Sequence, residues 1–484
     1  MNVSSRTEPL KIIQCSASPP KTMSDDCEDP YKLLNVSTES IPKAPSIWFS
    51  KRFVVAVLSF FGYMTYTFAQ VISIAIVEMT TTKVEVIGNE TITRPAEFNW
   101  NLQEVGLVLN MFWYGFFFSV IGGYLAQKFG GVTILGLSTM LTGIIVVLNP
   151  LSVRCNFYLF LLARGLIGLL QSFSSAGYTD VFARWVPRKE RAAVMSIVLD
   201  GMYAGTAIMY PVCGFLAHKW GWSMTFYFTG TVCIGWSILW LLIVRNDPSQ
   251  DHRISKKELE YILQGTENVA VKSDDSNPYK EILKSPSYWA LSIGKFAFNW
   301  GSAFTVMYLP LYIKDMTHRN IKEIGLLAFA PNVSIFIIPA VGMSIDYWQN
   351  HSTLTTTRIH KTVISGAFII AAISFAALTV ANNLIVMTIC FVFIKSSLSL
   401  NKIFLELITV NMAPNHCSLL SGLTLFWQTV GIIVIQTIIG FIIENHELAE
   451  WNTCFFLTTG VLLFSALVFV VFGSSEAQSW SKES

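Results

Sequence analysis

Residues 164–191, RGLIGLLQSFSSAGYTDVFARWVPRKER, decide how the chain is read. Arg164 stands inside an otherwise apolar run, and Arg184, Arg188, Lys189 and Arg191 crowd together just beyond it. An ionised side chain near the middle of a bilayer costs about 2.5–3.5 kcal/mol on insertion scales, so Arg164 is expected to face a polar cavity or an anion. The basic cluster marks the cytoplasmic end of the same span, because short basic loops stay inside. One stretch thus supplies a depth and an orientation.

The totals agree with a membrane reading. The 484 residues are 52% hydrophobic and 13% charged and include 35 Phe, with a mean hydropathy of +0.51. That is too apolar for a soluble multidomain chain. The net charge of +2 says little as a sum, and nothing supports nucleic-acid binding. Eight cysteines show no CxxC and no metal-ligand spacing, so no disulfide framework or zinc site is implied. A bridge between Cys155 and Cys454, both expected at the outer face, stays open. No cleaved signal peptide is read, and the first span is expected to act as the signal.

A span needs about 20 apolar residues. Twelve such runs are expected, at 53–79, 103–124, 132–150, 157–181, 193–217, 222–244, 288–312, 324–345, 361–381, 384–409, 418–443 and 452–473. The expected organisation is a disordered cytoplasmic tail over 1–50, a six-helix bundle over 51–245, a cytoplasmic linker over 246–287, a second six-helix bundle over 288–473 and a short cytoplasmic tail over 474–484. With both termini inside, and Lys361 at a span edge counted with the inner loop, 22 of the 33 Lys and Arg fall inside and 7 outside, a strong positive-inside bias.

Two short signals lie outside the spans. Asp29 with Leu33 and Leu34 has the acidic-xxx-Leu-Leu form read by sorting adaptors, and a chance leucine pair is the bland alternative. Asn89-Glu90-Thr91 is a glycosylation sequon on the expected outer face, whereas the sequons at Asn2, Asn35, Asn332 and Asn350 are misplaced. Faint internal repetition completes the pattern. ARWVPRKERAAVMSI after the fourth span lies over TVNMAPNHCSLLSGL after the tenth, with Pro187 over Pro414. Gly123 to Lys128 after the second span sits where Gly342 to Asp346 sits after the eighth. Paired halves of this kind are the signature of a carrier that rocks about a central site.

The same residues carry a resemblance. Phe98-Asn99-Trp100 with Glu104 to Leu107, Gly122-Gly123-Tyr124, Arg164 with Gly168 and Gln171, and Trp185-x-Pro187-x-x-Glu190-Arg191 open the series. Gly221-Trp222 with Phe226-Tyr227, Asp247-Pro248, Ile254-Ser255, Glu260-Tyr261-Ile262, Asn299-Trp300, Leu309-Pro310-x-Tyr312, Ala413-Pro414 and Glu476-x-Gln478-x-Trp480 continue it. Over residues 50–484 the chain resembles the major facilitator superfamily. Within it, the chain is similar to the anion-transporter family of sialin, the vesicular glutamate and nucleotide transporters and the type I sodium-phosphate cotransporters. The resemblance implies an all-α membrane protein of twelve transmembrane helices in two six-helix pseudo-repeats.

The departures are informative. The family's common first-span arginine is missing, since 53–82 holds no Lys or Arg, and no His precedes His218. Where proton-coupled members place a glutamate, seven residues after the fourth-span arginine, this chain has Gln171. An amide does not titrate, which excludes proton coupling through that position.

Away from the span ends, the spans hold Arg164, Lys295, Lys395 and Lys402 against two acids, Asp200 and Glu406, with Glu78, Glu104 and Asp180 at span ends. A net positive interior suits an anion. Arg164 is the expected anchor because a guanidinium matches a carboxylate or phosphate with paired donors, and Gln171, Lys295, Asn299, Lys395 and Lys402 are the further substrate-binding candidates. Lys395, Lys402 and Glu406 recur on one helix face, with an i,i+4 Lys402–Glu406 pair open to them. For Lys295 the alternative is a lysine that snorkels. Asp200 and Glu406 are coupling or ion-pair candidates, Asp200 either holding a cation or pairing with Arg164. The charged residues Lys128, Glu190, Arg191, Asp346 and Arg358 at cytoplasmic helix ends are expected to form a gate, weaker in the N-half because Gln127 replaces an acid.

The expected function is secondary transport of an organic or inorganic anion (a carboxylate, urate or phosphate) by alternating access, driven by membrane potential, Na+ or H+. An anion channel and a non-transporting receptor or scaffold on the same fold are the alternatives, and no catalytic constellation points to an enzyme. No cofactor is expected beyond Na+ or H+ as coupling ion. The expected partners are the small anion, membrane lipid and a sorting adaptor, on a monomer of the plasma membrane or an endolysosomal or vesicular one.

Overall fold

The computed structural model describes residues 50–482 except 69–71, 81–82, 88–89, 95–96, 101, 267–277, 318–333, 352–353, 382 and 444–446. Asp29, Leu33, Leu34 and Asn89 lie outside the described residues.

The N-half contains α1 (Lys51–Phe68), α2 (Ile72–Thr80), α3 (Leu102–Phe116), α4 (Ser119–Phe129), α5 (Gly131–Cys155), α6 (Phe157–Trp185), α7 (Arg191–Trp220) and α8 (Trp222–Ile243). Two short helices, α9 (Lys256–Gly265) and α10 (Tyr279–Lys284), follow. The C-half contains α11 (Pro286–Thr317), α12 (Ser334–His351), α13 (Thr356–Leu378), α14 (Leu384–Met412), α15 (Cys417–Ile442) and α16 (Leu448–Phe472). Each of the twelve expected spans holds helix among the described residues, the eighth only from Ser334 onward. Among the described residues eight helices are individually long and apolar enough to cross a membrane. The second span is one helix only in the loose sense, because α3 and α4 meet at a 43° bend.

Sharp reversals sit at two glycines. Gly130 between α4 and α5 and Gly221 between α7 and α8 both have φ +87°, a region that a side chain disfavours. Large apolar side chains point outward along the spans: Ile373 is 62% and Leu242 64% exposed, the arrangement expected where lipid is the solvent.

The all-α bundle carries one small addition. Between α2 and α3 the strands β1 (Lys83–Ile87) and β2 (Glu90–Arg94) pair antiparallel, Lys83 opposite Arg94 and Ile87 opposite Glu90. In this register Val84 pairs with Thr93 and Val86 with Thr91, residue types that fit a pleated ribbon.

The linker is a docked element. Ser255 caps α9 by accepting from the Glu258 backbone N–H, and the Glu258 carboxylate accepts the Arg52 backbone N–H at 2.9 Å. Lys51 meets Asp251 at 2.7 Å and Arg52 meets Glu190 at 3.2 Å. The Tyr261 hydroxyl donates to Glu190 at 3.0 Å, with the Arg52 guanidinium 4.7 Å from its ring centre. Burial, reinforced by the Glu190 carboxylate, pushes the Tyr261 phenol up to about 12. Burial opposes ionisation of Asp251, yet hydrogen bonds from Lys51 and Arg253 hold its carboxyl below the usual range. The linker therefore closes on the start of α1 and on the basic loop after α6.

Candidate functional site

The two halves meet most closely at the end of the molecule that carries the basic loop. Ser119 donates to the Gly422 carbonyl at 2.8 Å, and Thr179 donates to Ser421 at 3.0 Å. A Cβ on Gly123 would lie 2.6 Å from the Ser418 carbonyl oxygen, and one on Gly422 would lie 2.6 Å from that of Ser119. On the other flank a Cβ on Gly342 of α12 would strike Ser196 of α7. Small residues let backbones approach where lipid supplies no hydrophobic drive.

The gate residues divide in a way the sequence left undecided. Gln127 reaches the His416 ring nitrogen Nδ1 at 2.5 Å, so the position lacking an acid still bridges the halves. Arg191 is buried and donates to Asn411 of α14 at 2.6 Å and to the Val186 carbonyl. Glu190 serves Arg52 and Tyr261 instead of Arg191, so the expected Glu190–Arg191 unit splits between the linker and the opposite half. Lys128 lies over the rings of Tyr124 and Phe129. Arg358 is exposed near the start of α13, and Asp346 lies on α12 with its side chain outside the described residues. Asp180 is drawn into the N-half, bonded to Arg184 and the Gly131 N–H.

Arg164 is shallower than expected. It lies seven residues into α6 from Phe157, about 10 Å at 1.5 Å per residue, at the end away from the basic loop. It is buried against Phe112 of α3, 5.4 Å from the ring centre. Gln171 holds the midpoint of α6 instead, and its Nε2 donates to the Tyr66 carbonyl of α1 at 2.9 Å. A cavity of about 10 Å³ lies beside it among Thr65, Tyr66, Thr139, Thr142 and Ser174, room for about one water.

The C-half charges correct the local pairings drawn from spacing. Lys295 does not snorkel: it is 1% exposed and its Nζ meets Glu406 Oε2 at 3.0 Å. Glu406 thus closes its direct ion pair with Lys295, while Lys402, the partner that i,i+4 spacing suggested, stays within its electrostatic reach without closing a pair. Asn299 of the same helix spends its amide on the Gln428 carbonyl of α15 at 3.0 Å. That bond joins α11 to α15 within the C-half.

Lys395 and Lys402 turn toward the other half. Their ammonium nitrogens lie 5.4 and 5.7 Å from the ring centre of Tyr203 on α7, and Lys402 Nζ approaches Met202 Sδ at 3.3 Å. Tyr203 also hydrogen-bonds Ser399 of α14 at 3.3 Å. Asp200, one turn before Tyr203, lies within electrostatic reach of Lys402 and not of Arg164. Tyr63 and Tyr178 stack at 4.1 Å beside this cluster, and Tyr63 is within reach of Glu406. The tyrosines were missed by charge-led reasoning. The signal was present, in Tyr63 and Tyr66 one turn apart inside an apolar run.

Chemically, the centre offers two ammonium groups, phenol rings and a buried carboxyl where the halves touch, with a guanidinium displaced toward one end. This suits binding a small anion. Among the described residues no cluster of His, Cys, Asp and Glu gathers to hold a metal, and Cys155 and Cys454 are free thiols, one exposed and one buried. The larger cavity, about 610 Å³, lies among apolar residues such as Trp289, Phe296, Trp427 and Phe464, apart from the charged centre.

Comparison with known proteins converges on one family. Sialin of Homo sapiens is 28% identical over 475 residues, covering 92% of this chain and 94% of sialin. The sodium-dependent phosphate transport protein 3 of Mus musculus is 28% identical over 395 residues, covering 81% and 82%. The solved proton:xylose symporter XylE matches the fold with a TM-score of 0.70 at 13% identity, over 89% of this chain and 98% of XylE. The resemblance read from the sequence, and with it a multi-pass membrane carrier in place of an enzyme, is borne out. The family model of the Major Facilitator Superfamily matches residues 52–436, and the chain belongs to that superfamily.

Proposed function

We propose that the protein is a secondary transporter of a small organic or inorganic anion, a carboxylate, urate or phosphate, moved by alternating access of its two halves. The observation that carries the reading is the pair Lys395 and Lys402, both facing Tyr203 across the contact between α14 and α7. Neither lysine closes an ion pair among the described residues. An anion between them supplies the missing counter-charge and meets a different environment when the halves rock, which is the differential interaction that alternating access requires. Arg164, toward the other end, serves as an entry anchor on the route to the lysines. The names of the similar proteins, sialin and a sodium-dependent phosphate transport protein, support an anionic substrate.

In this reading both termini and the basic loop face the cytoplasm, Asn89 carries a glycan, and membrane potential, Na+ or H+ supplies the drive. A monomer works in a lysosomal or vesicular membrane, placed there by an adaptor that reads Leu33 and Leu34. Replacing both leucines by alanine is expected to move the protein to the cell surface.

Transport is tested in proteoliposomes with phosphate, urate, glutamate and sialic acid under imposed potential, Na+ and pH gradients in turn. Saturable uptake of at least one anion is expected, with loss in Lys395→Ala/Lys402→Ala. Uptake of none, or full uptake by that double variant, rejects the proposal, and current without saturable uptake identifies a channel.

A further inference from the structure

We propose that Asp200 is the protonation site of the transport cycle, its carboxyl taking up a proton as Lys402 takes up the anion; this rests on the anion-transport reading. Three observations on the molecule meet here. Asp200 is buried, and its Oδ2 has no hydrogen-bond partner. An ionised carboxylate oxygen left bare in an apolar interior costs several kcal/mol, which a proton removes. The residue also sits where α7 of one half touches α14 of the other, so its surroundings change when the halves separate.

The groups around it are few. α14 presents Lys402, with Lys395 a further step away across Tyr203. Tyr203, one turn on, is the titratable neighbour on α7 itself and feels the Asp200 charge. α1 contributes Tyr63, packed with Leu199 and Ile403, and behind it Glu406 is already held by Lys295. The helix register, with Gly201 on Phe60 and Gly205 on Met64, puts α2 and Glu78 beside the last turns of α7, about 20 Å away. α8 meets α7 beside Met209 and Cys213 in the same distal region. The contact with α12 at Ser196 and Ala192 is made by Gly342, which itself carries no side chain to titrate.

The exchange is balanced without any further reactant. With the anion absent, the ionised Asp200 carboxylate answers the Lys402 ammonium. When an anion binds Lys402, that ammonium is neutralised, Oδ2 forms an O–H bond with a proton from the open face, and proton and anion cross together. On the far side the O–H bond breaks, the proton leaves with the anion, and carboxylate and ammonium face each other again. Gln171 leaves the usual coupling position without a titratable group, and Asp200 fills that role from another helix. A metal ion in its place needs several oxygen ligands, beside a fixed ammonium that repels it.

Infrared difference spectroscopy of the purified full chain, titrated from acid to alkaline pH with no substrate, tests the proposal. The expected result is a buried protonated-carboxyl band that vanishes as pH rises, is missing in Asp200→Asn and returns with a displaced midpoint in Asp200→Glu. Lys402→Met mimics an ammonium neutralised by anion. By linkage it raises the midpoint by about one pH unit or more, tenfold in proton affinity. A band unchanged in Asp200→Asn, no band in the wild type, or no upward shift in Lys402→Met overturns the proposal. Because no transported anion enters the measurement, this outcome is separate from failure of the uptake assay.

Discussion

On α14, Glu406 and Lys402 lie four residues apart and live in different electrical circumstances. Glu406 is closed into an ion pair with Lys295 of α11 inside its own half. Lys402, with Lys395, faces the opposite half through Tyr203, Met202 and Asp200. A pair satisfied within a rigid six-helix unit keeps its partner through any rocking of the halves. Charges that face the other half across the contact without closing an ion pair lose their surroundings when the halves part, and that makes them available to do work. The comparison separates structural charge from functional charge on a single helix.

The largest expected effect breaks the internal pair. Glu406→Ala leaves Lys295 buried without its partner and is expected to destabilise by about 3–5 kcal/mol, whereas Lys295→Met/Glu406→Leu together restores most of the loss. Thermal unfolding in detergent measures both, and equal destabilisation of single and double variants would remove Glu406 from the structural side of the comparison. Next comes Lys402→Ala, where stability is retained and anion uptake falls roughly ten- to hundredfold, the value of one charge-assisted hydrogen bond of about 1.5–3 kcal/mol. Unfolding of that variant at the wild-type temperature, with uptake intact, reverses the assignment.

A smaller effect tests whether the halves part where α4 and α15 touch. Gly422→Ala sets a methyl against the Ser119 carbonyl and disfavours the closed arrangement by about 1–2 kcal/mol. The buried thiol of Cys417 at the same contact is then expected to react with a maleimide about five- to thirtyfold faster, read by peptide mapping. An unchanged rate says the contact does not open.

The smallest effect concerns the linker, whose charges are also satisfied within one half. The Asp251 carboxyl is held below its ordinary range by Lys51 and Arg253, so its contribution is present above the unfolded value of about 3.9 and fades as pH falls through the lower folded value. Asp251→Asn is expected to cost on the order of 1 kcal/mol or less at neutral pH. The gap to wild type stays flat from neutral pH down to about pH 4 and closes only below it. A gap that closes near neutrality points to a histidine instead.

Much of the architecture is legible along the chain because its cause is local. A bilayer demands about 20 apolar residues per span, and each such run from 53–79 to 452–473 holds helix among the described residues. The docking of α9 was less legible. Glu258, Tyr261 and Asp251 find Lys51, Arg52 and Glu190 far away in sequence, and a polar linker and a docked one have the same composition. The hairpin at 83–94 was passed over because a short loop beside long spans gave no reason to look for strands.

What the sequence determined by itself is the solvent the protein lives in, its two-half plan and the excess of positive charge inside it. Those follow from hydropathy and charge, which each residue carries wherever it is placed. The tertiary structure alone decided which charges meet. Glu406 joins Lys295 and not Lys402, and Asp200 lies near Lys402 and not Arg164. Pairing depends on how each helix is rotated and shifted against its neighbours, and close backbone contacts such as Gly201 on the Phe60 carbonyl and Gly422 on that of Ser119 fix that rotation between residues distant in the chain.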